Sequence, residues 1–204
     1  DDFNVHVKKS GVNVTGSPAS GSTIGTSYNL ATDTYTVGED AKAGYEQTSL
    51  VCKDTDSNTV VANPVVLTKG QNVTCTITND DKAPTVTVTK NVVNPFGVPL
   101  APSAFPLYLD GTAVVSGTPY TTFNAGWHTV SETQQPGYQF DNVDGDCTFN
   151  GDVISLLLSL DAHATCTVTN TAIQPKLIVK KKVINDNSGS KEDSDFTMVV
   201  SGNS

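Results

Sequence analysis

The chain has 204 residues, of which 37% are hydrophobic and 16% charged, a balance that allows packed cores and argues against a disordered chain. Its formal net charge is −9 and it contains no arginine, so it lacks the basic face with which a nucleic-acid partner's phosphates would be neutralised. No apolar run is long enough to cross a bilayer, so no membrane contact is expected within this chain, and no secretory signal is present.

Thr and Val dominate, which favours a pleated, half-buried surface over helices, so strands are expected throughout. The N-terminal segment DDFNVHV opens the series. A Gly-, Ser- and Thr-rich stretch from Gly11 to Asp33 follows and is expected to be a loop insertion. Next comes TYTVGEDAKAGY, ending at Tyr45, and then Cys52. The segment CTITN from Cys75 and the linker DDKAP lead into TVTVTKNV, which carries Lys90. SAFPLYLDG near Phe105, WHTVSETQQPGY ending at Tyr138, Cys147, and CTVTN from Cys166 complete the middle of the chain. After the linker TAIQP come the strand-like KLIVKKKVI around Lys181, an acidic loop from Asn185 to Asp195, and SDFTMVVSG around Phe196.

These segments repeat. CTITNDDKAPTVTVTKNVVN from Cys75 aligns without gaps on CTVTNTAIQPKLIVKKKVIN from Cys166, 91 residues further on. TYTVGEDAKAGY matches WHTVSETQQPGY, and DDFNVHV matches SAFPLYL and SDFTMVV. The expected organisation is a first β-sandwich repeat over residues 1–82 that lacks its first strand, a complete second repeat over 83–173, and the opening strands of a third over 174–204. A cut from a longer polyprotein is the preferred reading of that organisation, with strand donation between subunits as the alternative.

Strand parity selects candidate site residues. Side chains alternate faces, so Val86, Val88, Lys90 and Val92 share the apolar face, as do Leu177, Val179, Lys181 and Val183. On the same argument Cys166, Val168 and Asn170 face the core, and so do Cys75, Ile77 and Asn79. Val130 with Glu132, and Tyr35 and Val37 with Glu39, supply a carboxylate. A buried charge is costly unless paired, and a buried amide must find partners. Two readings stay open at this point. One is a Lys–Glu ion pair with an Asn hydrogen bond. The other is a covalent Lys–Asn isopeptide bond, in which burial leaves the amine neutral and nucleophilic while a protonated Glu polarises the amide and shuttles protons to departing ammonia.

The residues that carry this pattern also carry a resemblance. Lys90, the E-x5-Y element from Glu132 to Tyr138 with Gly137 before the tyrosine, and the terminal TVTNT with Asn170 resemble the prealbumin-like domains of SpaA and Cna-B type, the repeat modules of bacterial pilins and surface adhesins. The family element usually reads E-x-x-A-P-x-G-Y; here it is ETQQPGY and, without the proline, EDAKAGY. The resemblance implies an all-β fold of tandem prealbumin-like (Cna-B/transthyretin-like) antiparallel β-sandwiches. It implies an isopeptide cross-link between Lys90 and Asn170 promoted by Glu132. In the first repeat it points to Glu39 and Asn79, whose lysine would precede residue 1, and in the third to Lys181 alone.

Each repeat holds one cysteine pair, so disulfides Cys52–Cys75 and Cys147–Cys166 are expected, which implies an oxidising, extracellular compartment. No CxxC or CxxH spacing suggests zinc, the acidic loop is read as solvated, and neither a metal nor a cofactor is expected. Asn13 and Asn72 begin glycosylation sequons. His128 replaces Tyr35 of the first repeat, which suggests a packing role, and no catalytic triad motif recurs. The functional expectation is a structural segment of a surface fibre, pilus or adhesin stalk, partnered by neighbouring repeats or subunits, and not an enzyme on an external substrate. The alternative is a ligand-binding adhesin module that uses the first-repeat insertion to contact a host or matrix ligand.

Overall fold

The computed structural model describes residues 3–202. Asp1, Asp2, Asn203 and Ser204, the outermost positions of the first and third expected units, lie outside the described residues. The described fold is all-β apart from two short 3-10 turns, Pro102–Ala104 and Asp193–Asp195.

The first part contains β1 (Asn4–Lys9), β2 (Val12–Asn13), β3 (Ala19–Ser20), β4 (Thr34–Glu39), β5 (Tyr45–Asp54), β6 (Val60–Val61), β7 (Val65–Val66) and β8 (Val73–Asp81). One sheet has the order β2-β1-β4-β7, with β3 also on β1, and the other has the order β6-β5-β8. The Gly11–Asp33 insertion is therefore not wholly loop: its β2 and β3 fold back onto the two ends of β1.

The second part contains β9 (Thr85–Val93), β10 (Leu107–Leu109), β11 (Thr112–Val114), β12 (Pro119–Tyr120), β13 (Gly126–Glu132), β14 (Tyr138–Gly145), β15 (Cys147–Phe149), β16 (Ile154–Leu158) and β17 (His163–Ala172). Its sheets have the orders β11-β10-β13-β16-β15 and β12-β9-β17-β14. Alternation along the strands fills the space between them. Val86 and Val88 from β9, Leu107 and Leu109 from β10, Leu156 and Leu158 from β16, and Cys166 and Val168 from β17 form one core.

One pairing departs from the antiparallel expectation. β9 lies parallel to β17, with Val168 opposite Lys90 and Asn170 opposite Val92. A hairpin would impose antiparallel pairing, but here the whole second part intervenes between the two strands, and direction is free.

A second departure is the C-terminal segment. Beyond Ala172 the structure forms no strand among the described residues, and Leu177, Ile178 and Ile184 are exposed. The expected opening strands of a third unit thus run as unpaired chain, because a strand without a neighbour has no ladder to satisfy its backbone groups.

The two parts meet at Lys82. Its N–H donates to the Gly44 carbonyl at 2.9 Å, and its carbonyl accepts from Asp161 N–H at 3.0 Å. Lys82 Nζ lies 3.1 Å from Asp161 Oδ2. Gly44 has φ +79, and a Cβ there would press into the Leu160 side chain, so glycine is required at this joint on both counts.

Parity in β16 gives a direct test of this packing. Leu156 is fully buried and Leu157 is 51% exposed. Leu156→Ala should cost about 2–5 kcal/mol in urea melts, whereas Leu157→Ala should stay within about 0.5 kcal/mol.

Candidate functional site

Lys90 sits on β9 with its side chain fully buried, and Glu132, at the end of β13, has a side chain only 5% exposed. Asn170 on β17 is fully buried. Three strands from two sheets therefore aim an amine, a carboxylate and an amide at one point inside the core.

The geometry is tight. Lys90 Nζ lies 2.8 Å from Glu132 Oε2, an ion-pair contact off the hydrogen-bonding direction. The amine instead donates to the Val168 carbonyl at 3.2 Å. Asn170 Nδ2 donates to Glu132 Oε1 at 2.6 Å, and Gln134 Nε2 donates to the same oxygen at 2.9 Å. Asn170 Oδ1 has no hydrogen-bond partner although it is buried. One carboxylate thus bridges the lysine and the asparagine, and the amide carbonyl is left without a donor.

The surroundings dry the site. The Phe105 ring is buried and its centroid is 5.0 Å from Lys90 Nζ. Phe105 in turn meets Tyr138 edge-on at 5.3 Å. Burial pushes the Lys90 pKa below the ordinary lysine range, and the neighbouring Glu132 only partly opposes this. Tyr138 OH accepts from Leu100 N–H at 3.0 Å, which ties the loop after β9 to the E-x5-Y element.

The first part holds a related arrangement. Asn79 Nδ2 donates to Glu39 Oε2 at 2.9 Å, and Phe3 meets Tyr45 edge-on at 5.4 Å. Cys75, Ile77 and Asn79 are only half-buried, because β8 is a sheet edge and no described residue lies where β9 lies against β17. Lys181 Nζ sits 4.2 Å from the centroid of Phe196.

Both disulfides are present, and they differ in placement. Cys52–Cys75 joins directly opposed residues of β5 and β8 within one sheet. Cys147–Cys166 joins β15 to β17 and so bridges the two sheets of the second part. Each closes a loop of about twenty residues, worth roughly 3 kcal/mol in the chain-entropy view.

Asn13 and Asn72 are both exposed, and the Asn13 side-chain oxygen is 3.1 Å from His6 Nδ1. The insertion also lines an open concavity of about 710 Å³ between Lys9–Gly16 and Thr26–Leu30, where the Tyr28 hydroxyl is buried without a partner. His128 packs as its alignment with Tyr35 suggests. Its Nε2 bonds the Asn124 carbonyl four residues back, as Tyr35 OH bonds Ala31.

Sequence reasoning missed three contributors. Gln134 is a second donor to Glu132, Phe105 walls the lysine, and Ser116 Oγ accepts from Lys90 N–H at 2.8 Å. Phe105 could have been found, since Phe3, Phe105 and Phe196 recur at matching positions.

Residues 2–77 match the family model SpaA_2, described as a prealbumin-like fold domain. This stretch of the chain is similar to SpaA-type prealbumin-like domains. No curated protein and no solved structure gives a significant match. The match agrees with the prealbumin-like resemblance and with the paired sheets; it includes Glu39 and ends before Asn79.

The cost of the buried carboxylate can be measured directly. Lys90→Met leaves Glu132 without its cation, so adding Glu132→Leu should restore stability. The double variant should exceed the single by about 3–5 kcal/mol in denaturant melts, the cost of leaving a buried charge unpaired. Equal stability would show that Glu132 is not desolvated.

Proposed function

We propose that the chain is a structural segment of an extracellular surface fibre, pilus or adhesin stalk, built from tandem prealbumin-like sandwiches and stiffened by a self-formed Lys90–Asn170 isopeptide bond. The SpaA-type match at residues 2–77 supports the class. The observation that carries the reading is the convergence of Lys90 and Asn170 on the two oxygens of one buried carboxylate. The 91-residue repeat supports the tandem arrangement.

The chemistry uses only residues of the chain. Neutral Lys90 Nζ attacks Asn170 Cγ. A half-turn of the amide brings its oxygen to the Glu132 side, where a protonated carboxyl donates to it. The Nζ–Cγ bond forms, the Cγ–Nδ2 bond breaks, and Glu132 passes the amine's proton to the leaving nitrogen, which departs as ammonia. Lys90 is spent in the act, so this is a single self-directed event and not turnover on an external substrate.

The mechanical role follows from strand direction. β9 and β17 are parallel, so tension entering at Thr85 and leaving at Ala172 shears one strand past the other. A bond between them carries that tension covalently.

Intact mass tests the reading. The unvaried chain should weigh one ammonia less than its sequence after reduction, and digestion should yield a branched peptide joining Lys90 to Asn170. Glu132→Ala should restore the full mass. A full mass in the unvaried chain, short only of the disulfide hydrogens before reduction, would reduce the cluster to an ion pair with a hydrogen bond.

A second reading, a ligand-binding adhesin module, rests on the concavity of the insertion and its unpartnered Tyr28 hydroxyl. Deleting residues 16–28 should leave adhesion intact if the segment is a stalk alone.

A further inference from the structure

The second part shows a complete arrangement and the rest of the chain holds its two halves separately. β17 is flanked by β14 on one side and β9 on the other. β8, its counterpart, is flanked by β5 alone. Cys166, Val168 and Asn170 are fully buried, whereas Cys75, Ile77 and Asn79 are half-exposed. Two of the contacts found around Lys90 have counterparts beside β8: the Glu39–Asn79 hydrogen bond and the Phe3–Tyr45 contact.

The other half is residues 176–184. The gap-free repeat aligns KLIVKKKVI here with TVTVTKNVV of β9, and Lys181 with Lys90. The segment has no ladder partner, and Leu177 is 73%, Ile178 64% and Val179 46% exposed. Lys181 already lies over Phe196 as Lys90 lies over Phe105. An apolar strand carrying the reactive amine and an open edge carrying the carboxylate and amide are thus both unpaired.

The β9–β17 ladder supplies the register. Thr85 opposite His163 and Lys90 opposite Val168 become Lys176 opposite Asn72 and Lys181 opposite Ile77. This pairing cannot form within one copy. Lys176 is four residues beyond Ala172, and four residues span at most about 14 Å. β17 alone carries the chain about 30 Å from the joint, because its His163 end is the one beside Thr85 and Lys82. Asn72 lies beyond the joint, at the start of β8.

We propose that the open edge of β8 takes residues 176–184 of a second copy of this chain as a parallel strand, and that Lys181 of that copy bonds to Asn79. The covalent part rests on the chemistry proposed for Lys90. Lys181 Nζ attacks Asn79 Cγ, the Cγ–Nδ2 bond breaks, Glu39 transfers the proton, and one ammonia leaves per junction. The contact is head to tail, so each copy offers one donor and one acceptor and the assembly extends as an open row. On docking, Lys181 exchanges the Phe196 ring for the Phe3 ring.

The test uses the 204-residue chain at rising concentration, read by light scattering, by reducing denaturing gels and by peptide mapping. The expected result is a ladder of covalent multimers. In a mixture of ¹⁵N-labelled and unlabelled chains, branched Lys181–Asn79 peptides should pair one labelled with one unlabelled arm. Lys181→Ala alone and Asn79→Ala alone should each lose the ladder. Mixing the two variants should restore a dimer and nothing larger, since one keeps only the acceptor and the other only the donor. A chain that stays monomeric at every concentration while its Lys90–Asn170 peptide is present overturns this proposal and leaves the stalk reading standing. Absence of the Lys90–Asn170 peptide removes the shared chemistry instead; in that case association abolished by Ile77→Lys keeps the docking, and no association ends it.

Discussion

The pairing of β9 with β17 is the contact on which the second part depends. It joins the first and last strands of that part, closes the sheet edge, and brings Lys90 level with Val168 and two residues short of Asn170. In the first part no described strand lies on the corresponding edge of β8. There the same face of the last strand is half-exposed, Tyr45 is 38% exposed, and the buried hydrophobic residues reduce to Val7, Tyr35, Cys52 and Val65. One strand therefore separates a closed core from a thin one. Each Å² of apolar surface so buried contributes about 25 cal/mol.

The same strand brings a charge into the core, and the structure resolves that conflict locally. An amine and a carboxylate both removed from water gain little net stability as a pair, since desolvation offsets their attraction. Conversion of the amine to a neutral amide would remove the charge that makes the site expensive, and a protonated Glu132 would keep an acceptor and a donor for the new bond. Burial raises the cost of the ionised amine, and the Phe105 ring 5.0 Å away offsets part of that cost by attracting the cation. The bridging disulfide acts on the same strand from the other direction. Cys166 ties β17 to β15 across the core, four residues before Asn170 faces Glu132.

Much of this was legible in parity. The period of two selected Lys90, Glu132, Asn170, Glu39 and Asn79, because each interrupts an apolar face with a polar group. The structure gives Lys90 and Asn170 contacts to the one Glu132 carboxylate, and it joins Asn79 to Glu39. Strand direction was not legible, since alternation is the same for parallel and antiparallel neighbours. Nor was the difference between the disulfides: similar spacings of 23 and 19 residues placed one bridge inside a sheet and the other between sheets. Residues 176–184 read as a strand by pattern, yet pattern says only which face would be buried. It does not supply the neighbour that makes the ladder. Asp110, which accepts from Thr129 N–H at 2.8 Å and lies 2.6 Å from His128 Nδ1, escaped notice because a turn acid before glycine has an ordinary local explanation.

The joint and the strand pair together define a path for force. Tension along the chain passes from β8 through Lys82, whose backbone is hydrogen-bonded to Gly44 on one side and Asp161 on the other. The exposed Lys82–Asp161 ion pair adds at most about 1 kcal/mol to that joint, so its stiffness comes from the backbone bonds and from Leu160 seated against Gly44. The path then enters β9. With Lys90 bonded to Asn170, it crosses to β17 at that point and leaves toward Ala172. Everything between Lys90 and Asn170, including β10 to β16 and the Cys147–Cys166 bridge, would then lie off the path and bear no tension. Unfolding under load would then require breaking a covalent bond and not merely unzipping a ladder. With such a bond the core would need only enough stability to fold and to hold the three groups together until it formed.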